Sequence, residues 1–88
     1  MHLYLVERTD DWTYGDFDAM VVVAKDEESA RQIHPKQGQP FCSGETREVL
    51  WRDRFSPWAK SPDLVDVTLL GTSIEQEEHV VLASYNAG

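Results

Sequence analysis

The stretch VVVAKDEESARQIHP, residues 21–35, spells out a strand running into a capped helix. Consecutive valines favour an extended chain covered on both sides, and DAMVVVA, residues 18–24, is predicted as such a strand. Asp26 can accept hydrogen bonds from the first free amides of a helix, which makes it the N-cap. Glu27 and Glu28 place negative charge in the first turn, while Arg31 and His34 place basic or polar groups in the last, and both suit the helix dipole. Ala30 and Ile33 lie one turn apart and face the sheet. Pro35 ends the helix by disfavouring helical geometry at His34.

Working outward, HLYLVE at 2–7 alternates as a strand with Leu3 and Leu5 on one face. RTDDWTYGDFD at 8–18 is rich in turn formers. LVDVTLLG at 64–71 is a third strand with Val65, Val67 and Leu69 on one face. TSIEQEE is an acidic turn, and HVVLASYNA at 79–87 is a fourth strand, expected to form an antiparallel hairpin with the third. Between helix and third strand, residues 36–62 form a long irregular segment containing tryptophan, a length that in a compact domain points to function or further structure.

The order strand, strand, helix, strand, strand predicts a single α+β domain over residues 1–88. Its mainly antiparallel four-stranded sheet (ββαββ) carries one helix on one face. A right-handed crossover from the second strand to the third places the first between them, giving the spatial order 2-1-3-4. The face opposite the helix is then expected to show Tyr4, Val6, Met20, Val22, Val81 and Tyr85. That face is too apolar to stay wet, so either segment 51–58, a partner or a second copy of the chain covers it.

Composition narrows the function classes. The 88 residues include nine aromatics and 41 % apolar side chains, enough for a packed globule and against disorder. Cys42 is the sole cysteine, which excludes an internal disulfide and a zinc site built on cysteine pairs. The N-terminal MHLYLVERTDD lacks the basic start and apolar run of a secretory signal, and no stretch approaches the roughly 20 apolar residues of a membrane span. A cytoplasmic protein with no membrane partner is expected.

Charge is uneven as well as negative: residues 1–30 carry a net of −6, residues 31–60 a net of +3 and residues 61–88 a net of −5, within a total of −8. Such a chain is repelled by nucleic acid, whose binding depends on lysine and arginine displacing counterions. It is drawn instead to proteins with basic surfaces. Asp10, Asp11, Asp16 and Asp18, with Glu75, Glu77 and Glu78, are the candidate steering acids. Trp51, Phe55 and Trp58 are candidate anchors, since tryptophan dominates interface energetics, although the same aromatics could simply cover the sheet. Arg47, Arg52 and Arg54 beside Trp51 form an alternative site, able to stack on and pair with a nucleotide-like ligand.

Catalytic patterns are weak. Asp16 and Asp18 could together hold a metal ion, but no third ligand or phosphate-binding loop stands nearby in sequence, so neither a metal nor a cofactor is expected. His34 as a general base competes with its simpler role at a helix end, and Cys42–Ser43 carries no nucleophile signature. No nucleotide-binding fingerprint or zinc-protease motif is present. A non-enzymatic protein is expected.

The run YGDFDAMVVVAKDEESARQIHP, the tryptophan-containing middle, VDVTLLG and the closing VVLASYNAG together resemble a family of small phage-encoded proteins over nearly the whole chain. Shared features are the acidic-aromatic lead into the valine strand, an EEAR-like helix ending in His-Pro, and an ASFNAG-like tail, here Ala83, Ser84, Tyr85, Asn86, Ala87 and Gly88. The resemblance implies a phage product acting in a bacterial cytoplasm and carries over no catalytic residues. By analogy with small acidic phage inhibitors, it suggests binding and inhibition of a host protein, in the manner of an anti-CRISPR acting on a defence complex. A nucleotide-signal binder and a structural or morphogenetic phage component are the alternatives.

Overall fold

The computed structural model describes residues 1–10, 16–38, 47–52 and 58–86. Its strands are β1 (His2–Arg8), β2 (Asp16–Ala24), β3 (Val65–Thr72) and β4 (His79–Asn86), with short helices α1 (Glu27–Arg31) and α2 (Arg47–Arg52) between β2 and β3. All three strand pairings are antiparallel. The fold is therefore α+β, with an open four-stranded sheet.

The transition at residues 21–35 forms as its chemistry dictates. Asp26 is extended at φ −154° and its Oδ1 accepts from the Ser29 N–H at 2.7 Å, capping α1. Glu27 and Glu28 occupy the first turn and Arg31 the last. Ala30 and Ile33 are buried against the sheet. The helix closes at Gln32, and Pro35 starts a 3-10 turn, Pro35–Gly38, that packs against β4.

Strand order corrects the expected 2-1-3-4 and removes the expected β3–β4 hairpin: the sheet runs β3-β1-β2-β4, with the last two strands on opposite edges. β1 does lie between β2 and β3, which run parallel to each other across it. Burial accounts for the position of β4. Val22, Val23 and Ala24 are fully buried, and pairing β4 with β2 keeps this valine run out of the edge position. Residues 73–78 can reach, since three strand spacings are about 14 Å and six extended residues span roughly 20 Å. The crossing is fastened to the middle strands: the Ser73 N–H donates to the Met1 carbonyl at 2.9 Å, and the Lys25 N–H donates to Glu78 Oε2 at 3.0 Å.

The core lies on one side of the sheet. Tyr4, Val6, Met20, Val22 and Val65 meet Ala30, Ile33, Trp58 and Ala59, with Trp51, Leu64, Val67, Val80 and Ala83 at its margin. Helix α1, Trp51 and Trp58 thus cover the same face. The expectation that Tyr4, Val6, Met20 and Val22 lie opposite the helix is overturned, because these four are the residues beneath it. Val81 stands half-exposed where the β4 register shifts, and the Tyr85 side chain lies outside the described residues. β1 and β2 are nearly as apolar on one side as on the other, so alternation alone does not say which side the chain turns toward after Ala24.

Candidate protein-docking face

The side of the sheet away from the core is set by register. Leu5 pairs with Val21 and Val21 with Leu82, so apolar side chains from β1, β2 and β4 form one row. Leu3, opposite Gly71, extends it, and the space above Gly71 is open: a Cβ there would meet nothing within 4 Å. A shallow depression of about 170 Å³ is lined by Leu5, Ala19, Met20, Val21, Leu82 and Ser84. Leu82 is 66 % exposed.

Charge borders this row. Glu7 on β1 stands directly opposite Asp66 on β3, both exposed. Like charges facing each other across strands destabilise a sheet, by roughly 0.2–1 kcal/mol. Among the described residues neither carboxylate meets a cation. The pair is unfavourable in the isolated domain and becomes favourable once a lysine or arginine lies between the two carboxylates.

The other acids differ in their surroundings. Arg8, whose side chain is only 5 % exposed, grips Asp10 with Nε to Oδ1 at 2.8 Å and Nη2 to Oδ2 at 2.9 Å. Its Nη1 donates to the Phe17 carbonyl at 3.3 Å and lies 3.5 Å from Asp16 Oδ2. Hydrogen bonding to Arg8 holds the Asp10 carboxyl below its ordinary value, and the same contact raises the Arg8 guanidinium. Asp10 and Asp16 therefore serve as internal counter-ions, which corrects their reading as free steering charges. Asp18 sits where the β2–β4 register shifts, with Oδ1 buried and no hydrogen-bond partner. Glu75 and Glu77 are exposed, and Glu78 is half-buried at the crossing segment, holding the Lys25 amide. Asp11 lies outside the described residues.

Trp51 and Trp58 are structural. Trp58 is 2 % exposed within the core, which corrects its reading as a surface anchor. Trp51 is half-buried; its indole N–H donates to the Gln32 carbonyl at 2.8 Å and its ring stands edge-on to His34 at 5.3 Å. These contacts tie α2 to the end of α1. His34 is itself fully buried, and its Nδ1 accepts from the Lys36 N–H at 3.2 Å. Arg52 is exposed on α2. Phe55, Arg54, Cys42, Ser43 and the Arg47 side chain lie outside the described residues, so the arginine-tryptophan ligand site is represented here by Trp51 and Arg52. Among the described residues no group of three or more His, Cys, Asp or Glu side chains could hold a metal ion, and no helix is long and apolar enough to cross a membrane.

No family model, curated protein or solved structure matches this chain. What it does is inferred from its own surface. Sequence reading missed Glu7 and Asp66 as a unit, because each looks like an ordinary strand-end charge until β1 and β3 are paired. It also missed Arg8, whose signal was an arginine two residues before one of its acidic partners and eight before the other.

Proposed function

We propose that the protein is a non-catalytic binding domain that docks a partner protein on the side of its sheet away from the core. There Leu82 is exposed and Leu3, Leu5 and Val21 are half-buried. The supporting observation is the apolar row Leu3–Leu5–Val21–Leu82 bordered by the unneutralised pair Glu7 and Asp66. An apolar patch rimmed by uncompensated charge suits a protein surface that presents apolar side chains beside lysine or arginine. The net charge of −8 adds long-range attraction to such a partner. Inhibition of a host defence complex is the more specific form of this proposal and rests on the resemblance to phage proteins.

The test is capture from a bacterial lysate followed by native mass spectrometry, with wild type, Leu5→Gln and the Glu7→Lys/Asp66→Lys double variant run in parallel. A protein retained by wild type, lost from both variants and released by added salt supports the docking face. A partner held equally by all three chains, or a small-molecule adduct in place of a protein, overturns it.

A further inference from the structure

We infer that β4 is a self-pairing edge and that two copies of the chain join through it into a continuous eight-stranded antiparallel sheet. The two edges of the sheet differ. On β3, Asp66 brings a charge and the Arg31 guanidinium donates to the Val65 carbonyl at 2.6 Å. β4, of sequence HVVLASYN, has no acidic residue, lysine, arginine or proline. Long edge strands usually carry such residues because an unprotected edge pairs with whatever strand it meets. Exposed apolar side chains add to the effect, with Val81 at 53 % and Leu82 beside it.

Charge selects the occupant. Two molecules each carrying −8 repel one another overall, and β4, the one strand without a formal charge, adds no local repulsion where two copies would meet. A register shift between Val21 and Val22 leaves Val81 outside the ladder, whereas the extra residue at the second shift, Asp18, lies on β2, so β4 itself runs without an inserted residue over 82–86. A two-fold axis through the centre of that stretch sets Ser84 opposite its own copy. Ser84 is exposed, so the site tolerates the approach. The axis stands perpendicular to the sheet and keeps the two faces that point away from the core on the same side, which, on the proposed docking reading, doubles the docking surface. The contact is small, below roughly 1,200 Å², so the dimer is reversible and populated at high chain concentration.

Sedimentation of the chain alone tests this, so failure here leaves partner docking untouched. Wild type should dimerise, and more tightly as salt rises from about 0.05 M to about 0.5 M, because salt screens the repulsion between copies. Docking to a basic partner should weaken over the same range. Ser84→Lys and Ser84→Glu each set like charges face to face and should weaken self-association at least about tenfold, while an equimolar mixture of the two should restore it. As a check independent of any variant, the amides of residues 82–86 should gain hydrogen-exchange protection with increasing wild-type concentration. A monomer at all concentrations, a Ser84→Lys dimer as tight as wild type, or a mixture that fails to recover would overturn the inference.

Discussion

Replacing Asp10 by Asn tests the buried arginine centre directly. The substitution keeps the shape of the side chain but removes the charge that Arg8 grips at 2.8 and 2.9 Å. The guanidinium, 5 % exposed, then keeps Asp16 at 3.5 Å and the Phe17 carbonyl at 3.3 Å. Stranding a wholly buried charge costs about 3–5 kcal/mol, and hydrogen bonds to charged groups contribute about 1.5–3. With Asp10 partly exposed and Asp16 still present, the loss at neutral pH should be about 2 kcal/mol, or roughly thirty-fold in the folded-to-unfolded ratio. The pH dependence supplies a sign. Asp10 is depressed below 3.8 in the folded state, chiefly by its hydrogen bond to Arg8. Its contribution is therefore complete above that value and is lost as pH falls through the lower, folded one. Urea unfolding followed by tryptophan fluorescence, for wild type and Asp10→Asn at neutral pH and again well below 3.8, should show a gap that narrows in acid. A gap under about 0.5 kcal/mol at neutral pH, or one of equal size at both, would refute the assignment of Asp10 as the counter-ion of Arg8.

Three further outcomes follow from the same structure. Glu7→Lys turns a repulsive cross-strand pair with Asp66 into an attractive one, so it should raise the unfolding midpoint of the isolated domain while weakening partner capture; lower stability would remove the repulsion from the account. Trp58→Ala should cost about 3–5 kcal/mol of unfolding free energy, but Trp58→Phe far less, since it also removes a buried indole N–H that has no acceptor; equal losses would show that the N–H is satisfied in solution. Asp26→Ala should lower the thermal midpoint and speed exchange of the Ser29 amide, whereas an unchanged Ser29 amide would deny the cap.

Some of this site was legible in the sequence and some was not. Asp26, Ala30, Ile33 and Pro35 do their work through neighbours a turn or less away, so the amino-acid order alone places them. Trp51 and Trp58 read in sequence as partner anchors or as cover for the sheet, because a tryptophan that anchors a partner and one that fills a core look alike along the chain. Burial separates the two roles, and burial depends on where α1 and the segment after it fold. The acids were harder still, because one arginine decides which of them are neutralised inside the molecule, and Arg8 meets Asp16 only after β1 and β2 pair.

By itself the sequence determined the local elements: four strands, a helix capped at Asp26, and a strongly acidic chain. These follow from backbone dihedral preferences, side-chain capping and composition, all of which act over a few residues. Only the tertiary structure decided that β4 joins β2 rather than β3, that Tyr4 and Val6 rather than Leu3 and Leu5 lie beneath the helix, and that Glu7 faces Asp66. Each of these is a choice between pairings of similar local energy. What separates them is the burial of the β2 valines from both sides and the direction the chain takes after Ala24, and those are properties of the packed sheet as a whole.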